Sequence, residues 1–223
     1  MSDDIYRAVF KVAAALELPV VLLALVALAV VIYEAGAFAV EAAQRSRRRF
    51  PLLADAAAEA RARVDAGETE AARAALVPVA WSRPMGEALT NIVGDLGVPN
   101  AEPRIAKRLA DFDFACQSRL TRTRLLVRFG PALGLMGTLI PLSPALKGLA
   151  DGDVTALTDN LRIAFSITVL GLLVGAVAFA LSLLRDRLYG QDYSDLEYVA
   201  AILTDSAAAT TGTPAAPPAP AAS

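Results

Sequence analysis

Three long apolar runs constrain this chain more than any other feature: residues 18–40, interrupted only by Glu34, the uncharged stretch 129–146, and the uncharged stretch 163–184. With 56% apolar side chains in 223 residues, the composition exceeds that of an ordinary soluble domain. A helix needs about 20 predominantly apolar residues to cross the hydrocarbon core. All three runs reach or approach that length, the second being the shortest. The expected class is therefore an all-α membrane protein with three transmembrane helices. Gly and Pro within the second run count against a soluble helix but are tolerated between packed membrane helices. The first run is a poor signal peptide, because a mixed-charge segment precedes it and no small-residue cleavage site ends it.

Basic residues set the expected orientation. Arg45, Arg47, Arg48 and Arg49 follow the first run, Arg119, Arg122, Arg124 and Arg128 precede the second, and Arg185 and Arg187 follow the third. Between runs two and three, Lys147 and Arg162 stand against Asp151, Asp153 and Asp159. The N-terminus is then outside, and 41–128 and the C-terminus are cytoplasmic. The net charge of −2 gives no case for nucleic acid, so the arginines read as topology signals and lipid contacts.

Cys116 is alone and histidine is absent. Disulfide frameworks, thiolate clusters, histidine metal sites and His-based triads are thereby excluded, and no phosphate-binding loop is present. No enzyme activity, cofactor or metal is expected.

The chain divides as follows. Residues 1–17 form an amphipathic outer segment with Ile5, Val9, Val12 and Leu16 at helical spacing, suited to the membrane interface or to extending the first span. Residues 18–40 are the first span, with Pro19 where a helix restarts or kinks. The region 41–128 is helical and cytoplasmic. Gly67 breaks it near 65–68, 85–96 forms a short helix, and a stripe of Ile105, Leu109, Phe112, Cys116 and Leu120 runs into the second span without a break. Residues 129–146 are the second span, 147–162 an outer hairpin, and 163–184 the third span. A helical cytoplasmic extension covers 185–206, carrying Leu188, Leu196, Val199 and Leu203. The stretch 207–223, built only of Ala, Thr, Pro, Gly and Ser, is expected to be disordered.

Each of the last two spans carries a face of small or hydroxylated residues. In the third, Ala164, Thr168, Gly171, Gly175, Ala178 and Ser182 trace one helix face, opposite bulky Phe165, Val169, Leu172, Leu173 and Phe179. In the second, the face is Gly130, Gly134, Thr138, Pro141 and Ala145. Lipid removes the hydrophobic drive for helix association, so close approach of small residues supplies it. The partner of each face is the other span, a second copy, or a different protein. Thr138 and Thr168 either line an ion path or bond back to their own backbone. Glu34, the one acid inside a run, lies about 25 Å of helix beyond Leu18, near the cytoplasmic interface. A buried acid there is a functional candidate or the partner of a helix-end arginine such as Arg185.

The motif Pro131-Ala132-Leu133-Gly134-Leu135-Met136-Gly137-Thr138-Leu139, with Ile167-Thr168-Val169-Leu170-Gly171-Leu172, resembles the two channel-forming spans of the MotA/TolQ/ExbB proton-channel family. The likeness covers about 15–200, with its specific motifs in 129–178. It implies an inner-membrane stator or energiser subunit. A homopentamer would surround a dimer of a single-span partner, whose intramembrane aspartate carries protons. Thr138 and Thr168 would face that aspartate on the ion path, and Gly130, Gly134, Gly137, Pro141, Gly171 and Gly175 would allow close helix packing. Ile163 stands where TolQ and ExbB carry a glutamate, so the outer entrance must differ. The competing expectation is a non-conducting oligomeric scaffold recruiting a cytoplasmic partner through 41–128. A small solute transporter fits less well, since no inverted repeat is visible.

Overall fold

The structure is a computed structural model that describes residues 2–45 and 49–211. Arg47 and Arg48, counted above among the topology signals, lie outside the described residues, as does 212–223 of the stretch expected to be disordered. Every regular element described is helical: α1 (Ser2–Ala15), α2 (Glu17–Arg45), α3 (Phe50–Asp65), α4 (Thr69–Leu76), a 3-10 turn (Val77–Val79), α5 (Arg83–Asp95), α6 (Ala101–Ala150) and α7 (Val154–Thr211). Three helices, α2, α6 and α7, are long and apolar enough to cross a membrane. The chain forms two units, one of residues 1–40 and 117–187, the other of 41–116 and 188–223.

Local chemistry sets the breaks. Pro19 falls in the first turn of α2, where its missing N–H has no intrahelical acceptor to lose. Only Leu16 separates α1 from α2. The Leu16 N–H still donates to the Val12 carbonyl at 3.2 Å and the Val20 N–H to Leu16 at 3.0 Å, so the two run nearly as one. At 65–68, Gly67 takes φ 80° and the Glu68 N–H reaches back to the Arg63 carbonyl at 2.8 Å. This is the left-handed cap that ends many helices, and a Cβ would strain it. The Ser82 hydroxyl caps α5 by accepting from the Met85 N–H at 3.4 Å.

The expected hairpin at 147–162 is helical except for a turn of three residues, 151–153. Gly152 at φ 78° closes α6, and the Asp153 carboxylate opens α7 by accepting from the Ala156 N–H at 2.9 Å. The stripe from Ile105 runs without interruption into the second apolar run, as expected. α7 continues to Thr211, into the first residues of the stretch expected to be disordered.

In the first unit, α2 turns Val20, Ala24, Ala27, Val31 and Glu34 inward, one face at alternating steps of four and three. Ala27 and Val31 pack with Leu133 of α6 and with Val174 and Ala178 of α7. Leu22, Val26 and Tyr33 of α2, Leu135 and Leu139 of α6, and Phe165, Val169 and Phe179 of α7 stay exposed. An apolar exterior around a small-residue interior suits lipid and not water. This is a multi-pass membrane protein.

The second unit has the opposite pattern. Leu53, Leu76, Met85, Leu89, Ile92, Val93, Leu196, Val199 and Leu203 fill its core. Asp192, almost fully buried, accepts from the Trp81 indole N–H at 2.9 Å and from Arg45 Nε and Nη2 at 3.2 and 2.5 Å. The Arg45 guanidinium also lies over the Tyr189 ring, 5.1 Å from its centre. Asp95, 3% exposed, accepts from Arg104 Nε at 2.8 Å and Arg108 Nε at 2.9 Å. The hydrogen bond from Arg108 in particular, helped by Arg104, holds its carboxyl below the usual carboxylate range despite burial.

Because the folded-state pKa of Asp95 is depressed, its contribution to stability is complete above about pH 4 and is lost as pH falls through the folded value. Replacing Asp95 with Asn should cost about 1–2 kcal/mol at neutral pH, a charged hydrogen-bond pair weakened by the exposure of both arginines. It should also flatten the acid limb of an unfolding curve. Fluorescence of Trp81, the single tryptophan, in the same unit, reads both effects.

Candidate functional site

The two small-residue faces meet each other within one chain. A Cβ placed on Gly171 would come 2.5 Å from the Gly130 carbonyl oxygen and 2.8 Å from Gly134 Cα. One on Gly130 would come 2.7 Å from both the Gly171 oxygen and the Gly175 nitrogen, and one on Gly175 would strike Pro131 Cδ at 2.9 Å. α6 and α7 therefore approach closely along Gly130, Gly134, Gly171 and Gly175, with no room for a side chain at Gly130 or Gly171, and with Gly134 fitting tightly, 3.3 Å from the Thr168 carbonyl oxygen to an added Cβ. Gly137 is filled by the side chain of Ile167, whose Cβ would lie 2.9 Å from an added methyl. Pro141 and Ala145 are buried further along α6, and Ala164 and Ala178 on α7.

Thr168 sits at this contact. The half-buried Thr168 donates its hydroxyl to the Ala164 carbonyl of its own helix at 3.0 Å and lies 3.3 Å from the Gly134 carbonyl across the contact. The absence of a side chain on Gly134 makes that second acceptor reachable. Thr138, one turn further along α6, is also half-buried and donates to the Leu135 carbonyl at 2.7 Å. Each hydroxyl oxygen keeps acceptor capacity while its proton is held by backbone. No carboxylate lies between 129 and 146 or between 163 and 184. Ile163 is 45% exposed and offers no polar side-chain atom.

A second polar centre lies in the same unit. Arg185 Nη1 donates to Glu34 Oε2 at 2.5 Å and to the Thr123 hydroxyl at 3.2 Å, and Nη2 donates to the Glu34 main-chain carbonyl at 3.3 Å. Glu34 is 8% exposed, Arg185 3% and Thr123 fully buried. One guanidinium thus ties α2, α6 and α7 together. Glu34 and Arg185 were singled out from sequence; Thr123 was not. Its signal was available: extending the Ile105–Leu120 stripe by three residues lands on a threonine where an apolar residue belongs. Asp192 was likewise missed, although it interrupts the Leu188, Leu196, Leu203 face.

Among the described residues no group of His, Cys, Asp and Glu side chains is arranged to hold a metal. A family model described as the MotA/TolQ/ExbB proton channel family matches residues 87–194, which include the α6–α7 glycine contact and both threonines. No curated protein matches.

Two outcomes follow from this geometry. Gly171→Val should separate α6 from α7, seen as loss of folded, monodisperse protein in detergent. Glu34→Gln leaves Arg185 buried without its countercharge and should cost about 3–5 kcal/mol. The double variant Glu34→Leu with Arg185→Met removes both charges and should recover most of that loss. Thermal unfolding in detergent compares the three, and a double variant no better than Glu34→Gln would contradict the pairing as the cause.

Proposed function

We propose that this chain, whose residues 87–194 match the MotA/TolQ/ExbB proton channel family, is the channel-forming stator or energiser subunit of an ion-motive-force-driven membrane motor. The observation that carries this reading is the direct backbone contact of α6 with α7, whose apolar stretches 129–146 and 163–184 carry Thr138 and Thr168 and no acid. A path with hydroxyls and no carboxylate needs its proton carrier from another chain. That chain is a single-span protein with an intramembrane aspartate, present as a dimer inside a ring of five copies of this one. Thr138 and Thr168 polarise the path, and the glycines keep α6 and α7 close enough to act as one wall. The arginine distribution gives an outside N-terminus and a cytoplasmic C-terminus in the inner membrane, with the 41–128 and 185–206 segments cytoplasmic. The ion is H⁺.

A second reading draws on a specific observation: both threonine protons are held by backbone of their own helices, as in helices that merely pack. The chain would then form a non-conducting ring that recruits a cytoplasmic partner through 41–128.

Thr168→Val separates the two. It removes the hydroxyl at nearly constant volume and should lower proton flux in proteoliposomes about 100-fold while leaving the oligomer intact by size-exclusion chromatography; wild-type flux in this variant sinks the assigned role. Electron cryomicroscopy of the complex co-expressed with its genomic neighbours tests the architecture. Five copies around two foreign helices, with an aspartate beside Thr138 and Thr168, is the expected result. A monomer or dimer without a central pore would overturn it.

A further inference from the structure

α5 ends at Asp95, and a short turn, 96–100, leads into the first turns of α6. Gly97 at φ 75° and Asn100 at φ 62° take left-handed conformations in that turn, which few other residues adopt. On α6, Arg104 and Arg108 are four residues apart and share one helix face, with Lys107 beside them. The turn sets this face against the end of α5, and both arginines reach the same carboxylate. Arg104 donates Nε to Asp95 Oδ1 at 2.8 Å, with its Nη2 2.6 Å from the same oxygen, and Arg108 donates Nε to Oδ2 at 2.9 Å.

This arrangement overcompensates one charge. Asp95 is buried and requires a countercharge, which a single guanidinium would supply, yet two are present. Lys107 adds a third cation and pairs with Asp111. Three cations against two carboxylates leave a net positive charge where Asp95, Pro103, Arg104, Lys107 and Arg108 line a cavity of about 370 Å³. The guanidiniums are also fixed in place. An arginine carries five N–H donors in a rigid fork, and Asp95 takes the Nε of both and the Nη2 of Arg104. Further Nη donors remain on each, and they are open to solvent, since Arg104 is exposed and Arg108 half-buried. Anchoring two long side chains beforehand removes much of the rotamer entropy that a ligand would otherwise have to overcome.

We infer that this cavity binds a phosphate group, gripped by Arg104 and Arg108, with Lys107 as a further contact and Asp95 positioning both arginines. Guanidinium forks match the oxygen edges of phosphate, and charge-assisted bonds of this kind are the strong ones. The volume admits a phosphate with a small organic body attached. The phosphate belongs either to a dissolved small molecule or to a lipid headgroup. The site stands on the Asp95 cluster alone and not on the channel reading.

Isothermal titration calorimetry tests this on the full-length protein in a neutral detergent, with sodium phosphate and glycerol phosphate as ligands and sodium chloride holding the ionic strength constant. Saturable binding is expected. Arg104→Gln and Arg108→Gln should each raise the Kd about tenfold, the loss of a charge-assisted hydrogen bond, and Lys107→Gln about threefold. Asp95→Asn makes the cavity more positive, yet it should also weaken binding about tenfold, because it releases both arginines. Tighter binding in Asp95→Asn would mean a diffuse cationic patch and overturns the site. So does an absence of saturable binding, an equal response to chloride alone, or an unchanged Kd in both arginine variants. Circular dichroism checks folding first; should the arginine variants not fold, the exposed Lys107 decides, and an unchanged Kd in Lys107→Gln overturns the site. Wild-type titrations in phosphatidylcholine nanodiscs with and without phosphatidic acid separate the sources. Equal phosphate binding in both identifies a dissolved ligand, and binding lost with phosphatidic acid identifies a headgroup.

Discussion

The membrane-embedded unit depends on a contact made almost without side chains. Gly130 and Gly134 on α6 meet Gly171 and Gly175 on α7 so closely that a methyl group on Gly130 or Gly171 would strike the opposite backbone. In water such a joint would be a weak one, since it buries little apolar area. In lipid the hydrophobic drive between helices is absent, and close backbone approach with many small dispersion contacts takes its place. The contact also exposes main-chain carbonyls to side chains on the opposite helix. That is how Thr168 comes within reach of the Gly134 oxygen. A larger residue at 134 would both wedge the helices apart and screen that acceptor.

α2 is held to this pair by different means. Its inward face of Val20, Ala24, Ala27 and Val31 packs in the ordinary way, but its far end is fixed by charge. Arg185 engages the side chain and the main chain of Glu34 together with Thr123. A buried ion pair of this kind adds little net stability relative to apolar residues of similar shape, yet its loss on one side is costly. Its effect is therefore on register: α2 has one axial position in which Glu34 meets the guanidinium.

Much of this was legible in the residues. The three spans follow from length and apolarity, and the break at Gly67 and the continuous α6 follow from turn chemistry and periodicity. The small-residue faces were legible as faces, because spacing alone shows which residues share a side of a helix. Their partner was not, since spacing carries no information on what lies opposite, and the answer was the neighbouring span of the same chain. Glu34 with Arg185 was recoverable because a lone acid in an apolar run demands a countercharge. Thr123 and Asp192 escaped because each sits among residues that look solvent-facing locally, Thr123 between two arginines. Their burial is decided by helices 62 or more residues away in sequence.

An arginine near the end of a membrane helix ordinarily stretches toward the headgroups, and this snorkelling lets a helix adapt to bilayers of different thickness. Arg185 has no such freedom, being 3% exposed and bonded to two other helices. At this end of the unit, a change in hydrocarbon thickness must be absorbed by tilting α2, α6 and α7 together or by deforming the lipid around them. The protein is accordingly coupled to membrane thickness as a block and not helix by helix.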